Sequence, residues 1–148
     1  MPTESARSLL LQIDEEQRRL RELLSGKDDA LLAQRPPNGR WSVLENLRHL
    51  VFTEQGHLGL VSSGAQSWSA MGLPPGGLQA RPEFEAMAAS KPSSVKEVLD
   101  AWQVIHKDAA RLGERDSEDV RKALTKNLRH LQNHITVIQR LLRASSAK

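Results

Sequence analysis

Apolar residues recur at intervals of three and four through four long stretches of this chain. Alternation of the kind a half-buried strand requires is scarce, and β-branched residues never cluster. That periodicity restricts the fold to packed amphipathic helices, because each stretch must bury one stripe against another element. The first helix is expected from about Glu4 to Leu24, capped by Thr3 or Ser5, with Gly26 beyond its end and a stripe of Leu9, Leu10, Ile13, Leu20, Leu23 and Leu24. One or two further turns fit Asp28 to Gln34 before Pro36, Pro37, Asn38 and Gly39 break the chain. The second helix is expected from Trp41 or Ser42 to about Val61, because Ser42 and Glu45 have the spacing of a capping box. Its stripe is Val43, Leu44, Leu47, Leu50, Val51 and Leu58; Trp41, Phe52 and Leu60 lie off it, so two sides of this helix should be covered.

Residues 63 to 92 hold four glycines and four prolines and form a long connection, within which Pro82 to Ala89 fits a short helix. The third helix should begin at Ser93 or Ser94 and end near Leu112 or Gly113. Its apolar face is Val95, Val98, Leu99, Trp102, Ile105 and Ala109. The fourth should run from just after Ser117 to about Arg143 on a stripe of Val120, Leu124, Leu128, Leu131, Ile135, Ile138 and Leu142. Four such helices with one long middle connection indicate a single all-α four-helix bundle over residues 1–148.

Composition narrows the function. No cysteine is present, which excludes disulfides, thiolate metal sites and a cysteine nucleophile. With no tyrosine, three tryptophans and two phenylalanines, a base-stacking platform for single-stranded nucleic acid is not expected. The 148 residues carry a net charge of +3. Residues 118–148 contribute seven basic and two acidic side chains. The basic groups of the fourth helix share the face opposite its apolar stripe, so a solvated face explains them better than a nucleic-acid partner. No apolar run approaches the ~20 residues of a membrane span, and no basic-then-apolar leader opens the chain. A cytoplasmic location is the expectation.

Candidate chemistry rests on five histidines. His130 and His134 stand one helical turn apart, a spacing that lets two imidazoles reach one metal ion. The same spacing also suits two boundary histidines satisfied by neighbours or water. His49 is a candidate third ligand, although its angle on the second helix, beside Glu45, Phe52 and Gly56, would leave it exposed. His57, at the edge of a stripe, and His106, on the apolar face of the third helix, fit either ordinary core positions or an outer shell around a site. Glu45 and Glu54 are candidate outer-shell or base groups. Arg48 and Arg129 adjoin ligand candidates and could meet an acidic substrate, but solvent-facing positions are expected for both.

The segment from Arg35 to Leu58, RPPNGRWSVLENLRHLVFTEQGHL, resembles the second-helix signature of the DinB-like (DinB/YfiT) superfamily: a Pro/Gly turn, Trp41-Ser42, Glu45, then His49-Leu50. His130 to Thr136, HLQNHIT, resembles that family's last-helix H-x-x-x-H, and the two motifs stand about 80 residues apart, as in the family. The resemblance implies an up-down-down-up bundle, often dimeric, holding a divalent metal on three histidines. The matching positions are His49, His130 and His134. It also implies activities such as transfer of low-molecular-weight thiols, thiol-dependent isomerisation or metal-dependent hydrolysis of a small molecule. Arg129, Leu131 and Ile138 stand where many relatives carry further polar groups, a departure that weakens the carry-over. Zinc, nickel or another borderline metal would suit three imidazoles. Such a site should lose its metal as pH falls through about 6. The competing class is a non-catalytic bundle that binds a small ligand or partner protein around a vestigial site. A homodimer would cover the second apolar side of the second helix.

Overall fold

The computed structural model describes residues 5–63, 68–92 and 94–146, and among them it is entirely helical, without strands. The long helices are α1 (Ala6–Leu24), α3 (Val43–Ser63), α5 (Val95–Ala109) and α6 (Glu118–Ser146). Short α2 (Asp29–Leu32) follows α1, and α4 (Pro82–Ala89) lies in the connection between α3 and α5, so both short helices stand where the sequence indicated them. Helix α3 packs on α6 and α5, and α1 packs on α6. A 3₁₀ turn over residues 110–114 brings the end of α5 against α1 and closes the ring.

The helix ends follow from local chemistry. Ser5 Oγ accepts the Ser8 N–H at 3.1 Å to cap α1; the alternative cap Thr3 and the expected start at Glu4 lie outside the described residues. Ser94 caps α5 by accepting from the Glu97 N–H, and Ser93 is likewise outside the described residues. Ahead of α3 the capping box is complete. Ser42 Oγ accepts the Glu45 N–H at 3.1 Å, and a Glu45 carboxylate oxygen accepts the Ser42 N–H at 3.0 Å. Helices α3 and α6 end two and three residues later than expected, which is ordinary for ends without a strong stop signal.

The expected stripes meet in one core. Ile13, Leu20, Leu47, Val51, Val98, Leu124, Leu131 and Ile138 are all 2 % exposed or less. The second side of α3 is covered within the chain. Phe52 stacks on Trp68 with ring centroids 4.5 Å apart and meets Phe84 edge-on at 5.4 Å, and Met87 completes this small cluster. The side chain of Leu60 lies outside the described residues.

Arg48 corrects the sequence reading. It is buried rather than solvent-facing, because its guanidinium fastens the connection to α3. Nε donates to the Met71 carbonyl, and one terminal nitrogen donates to the carbonyls of Gly72 and Met87 at 3.1 and 2.9 Å. The Leu73 N–H returns a bond to the Arg48 carbonyl at 3.0 Å. Arg129 is exposed, as expected. Arg48→Met removes three charge-assisted bonds and strands buried carbonyls, so it should cost about 2–4 kcal/mol of stability. Hydrogen exchange should speed up first in residues 71–73 and 87–90. A uniform rise across the chain would mean that Arg48 does not hold the connection.

Candidate metal centre

Helix α3 supplies His49, and α6 supplies His130 and His134 one turn apart. One ring nitrogen from each lies within 4.8 Å of the other two. Ring centroids are 5.1 Å apart for His49–His130 and His49–His134, and 4.4 Å apart for His130–His134. The chain thus gathers the three histidines that the motifs pair. His49 is buried, not exposed as its helical angle suggests, because the clamped residues 71–73 cover that side of α3.

Each imidazole is oriented through Nδ1. His49 Nδ1 donates to the Leu73 carbonyl at 3.0 Å. The Thr53 hydroxyl gives its proton to the Leu50 carbonyl, so it accepts from His130 Nδ1 at 3.2 Å. The Asn46 amide nitrogen donates to the Ser42 carbonyl at 2.9 Å, which turns its oxygen toward His134 Nδ1, 2.8 Å away. All three rings therefore carry their proton on Nδ1 and keep a free lone pair on Nε2. Partners of this kind fix the tautomer of metal-binding histidines.

Burial pulls the pKa of all three below the ordinary histidine value. For His130, the neighbouring imidazoles His134, His49 and His57 add to burial; for His134, His49 does. Both are lowered to about 4, while the bond to Leu73 opposes the shift at His49. Neutral imidazole is the form that binds metal. Ligand nitrogens around zinc would sit roughly 3.4 Å from one another, given bonds of ~2.0–2.1 Å, so small ring rotations would close the cluster on an ion. The donor set fits a borderline divalent cation and leaves coordination positions open.

The DinB superfamily family model matches residues 12–138, which spans both histidine motifs. The chain belongs to the DinB superfamily. No curated protein and no solved structure matches it.

In this DinB-superfamily chain the remaining candidates divide. Glu45 serves the capping box and an ion pair with Arg35 at 2.6 Å, not the histidine cluster. His57 lies edge-on to His130 with centroids 5.7 Å apart, and its Nδ1 faces the Asn127 amide oxygen at 3.2 Å. Asn127 in turn donates to Glu54. Glu54, 2 % exposed, accepts from Gln17 at 2.9 Å, Asn127 at 3.3 Å and His106 at 3.0 Å. Gln17 Nε2 and His106 Nδ1 are 3.3 Å apart, but both point their protons at this carboxylate. The other His106 nitrogen meets Asp14. All four long helices thus join at Glu54, and His106 is part of a charge network that runs from buried Glu54 to half-exposed Asp14, not an ordinary core residue.

Sequence reading passed over Asn46, Thr53, Gln17 and Asn127. Only Gln17 and Asn127 left a signal, as polar residues on or beside apolar stripes. Asn46 and Thr53 are recognisable only once the imidazoles face them.

Among the described residues, no helix is long and apolar enough to cross a membrane.

Proposed function

We propose that His49, His130 and His134 hold one divalent ion, zinc or nickel, and that the chain is a metal-dependent enzyme acting on a small molecule with a low-molecular-weight thiol as cosubstrate. The observation that carries this reading is the tautomer set. Three separate acceptors, the Leu73 carbonyl, Thr53 and Asn46, each bind Nδ1 and so leave Nε2 with its lone pair, while one ring nitrogen of each histidine lies within 4.8 Å of the other two. The bound ion would supply a thiolate, or a hydroxide in the hydrolase alternative, at neutral pH without any protein nucleophile, in a chain that has no cysteine. The residues of the chain orient the imidazoles, and Trp41 and the clamped connection cover His49.

The long helices are proposed to run up-down-down-up, which the long connection between α3 and α5 supports. A cytoplasmic location is proposed with it, since a free thiol pool is a property of reducing compartments. A homodimer is also proposed. With the Phe52 side of α3 covered within the chain, its support is the family resemblance alone. Sedimentation that returns a monomer throughout the micromolar range would end that proposal.

The thiol reading has a direct spectroscopic test. Cobalt(II)-loaded protein titrated with 2-mercaptoethanol should develop a sulfur-to-metal charge-transfer band that saturates, and the triple His→Ala variant should not. A cobalt-loaded wild type that shows no such band would leave the hydrolase reading standing instead.

A further inference from the structure

With Arg48 committed to backbone carbonyls, a different arginine is placed to meet an acidic ligand. A cleft of about 470 Å³ opens between the turn before α3 and the C-terminal half of α6; Arg35, Arg40, Trp41, Asn46, Val137 and Leu141 are among its walls. Two of these residues also touch the histidine cluster. The Trp41 ring lies 4.9 Å from that of His49, and Asn46 accepts from His134. Val137 and Leu141 follow His134 by three and seven residues, so they continue the histidine face of α6 along the cleft. Val137 is left 40 % exposed there.

The rim is preorganised. Gly39 has φ +77°, a left-handed conformation that suits glycine, and its N–H donates to the Pro36 carbonyl at 3.0 Å. The Arg40 N–H donates to the Asn38 side-chain oxygen at 3.0 Å, which fixes where Arg40 leaves the turn. Arg35 is neutralised by two bonds to Glu45, at 2.8 and 2.6 Å, whereas Arg40 forms no ion pair among the described residues. The cleft therefore combines an apolar floor with a guanidinium that has no ion pair among the described residues, a planar fork that matches a carboxylate.

We propose that this cleft binds a small apolar carboxylic acid, with Arg40 as counter-ion and Trp41, Val137 and Leu141 holding the apolar body. The proposal deepens the enzyme reading, on which it rests only in taking the bound acid to be substrate; the binding itself needs no metal.

Metal-free protein titrated with phenylacetate, followed by ¹⁵N NMR, should show saturable shifts in residues 38–41 and 137–141. Phenylacetamide, the neutral molecule of the same shape, should bind about fivefold more weakly, as expected for one exposed ion pair. Arg40→Ala should erase that preference while leaving phenylacetamide binding unchanged, and Arg40→Lys should keep part of it. Equal affinity for acid and amide in wild type, a preference that survives in Arg40→Ala, or shifts confined to other residues would each overturn the proposal. Arg40 is exposed, so the variant should fold, and it should retain zinc like wild type. Failure of zinc binding in wild type would count against the enzyme reading and leave the acid site to stand or fall on the NMR result.

Discussion

His106→Leu is expected to lower the stability of the chain by about 2–4 kcal/mol near neutral pH, somewhat less than the cost of removing one partner from a fully buried ion pair, because Asp14 is half exposed. Against the 5–15 kcal/mol typical of a domain, that loss is large. His106 bridges Glu54 and Asp14, with its side chain 14 % exposed. Burial opposes its charge, but the bonds to Asp14 and Glu54, together with their negative charges, outweigh burial and raise its pKa to about 10. The ordinary value is 6.5, so between pH 6.5 and 10 the folded chain keeps a proton that the unfolded chain releases. The stabilisation is thus complete below about pH 6.5 and disappears as pH rises through 10. Urea unfolding of wild type and His106→Leu should give curves whose gap is widest at pH 6.5 and narrows steadily toward pH 10. Glu54→Gln in the His106→Leu background removes the uncompensated charge while keeping an acceptor for Gln17 and Asn127, and should recover part of the loss. A gap below ~1 kcal/mol at pH 7, or one that does not change with pH, would mean that the network is electrostatically idle.

That network shows where reading the sequence stops. Helix positions were legible because periodicity reports the direction of burial, and residues such as Ile13, Leu47, Val98 and Ile138 are buried as their spacing indicates. The metal candidates were legible because His130 and His134 share a helix, where spacing is geometry. His49 was legible as a candidate third ligand, but its helical angle spoke for exposure and only the family motif tied it to the pair. What covers it is a backbone carbonyl from residue 73, and no pattern on α3 encodes that contact. Arg48 misled for the same reason. A charged side chain predicts solvent unless three carbonyls from a distant connection surround it, and loop carbonyls leave no trace in residue type. Glu54 and His106 lie on different helices, so their pairing depends on helix packing and rotation that no single helical wheel contains.

Replacing His49, His130 or His134 by alanine should cut zinc affinity by more than the ~10–100-fold expected when only an outer partner of a ligand is lost. Each replacement removes one of three nitrogens that lie within 4.8 Å of one another. Asn46→Ala and Thr53→Val should fall inside that 10–100-fold range, because the rings of His134 and His130 would lose the bond that fixes their tautomer. His57→Ala should leave affinity near wild type, because its proton-bearing Nδ1 is engaged by Asn127. The acid limit should also move from where three ordinary histidines would place it. His130 and His134 are already neutral well below pH 6, with pKa values lowered to about 4, so protons should displace the metal as pH approaches 4 and not at 6. The same depression destabilises the metal-free chain in acid. Its unfolded histidines take up protons near 6.5 that the folded ones refuse, so stability should fall between pH 6.5 and 4, and bound zinc should delay the fall. Competition with a chromophoric chelator at pH 7, 5 and 4 measures the first effect, and urea unfolding with and without zinc over the same range measures the second. Equal zinc retention by wild type and the triple alanine variant would remove the metal centre, and with it the chemistry proposed for this chain.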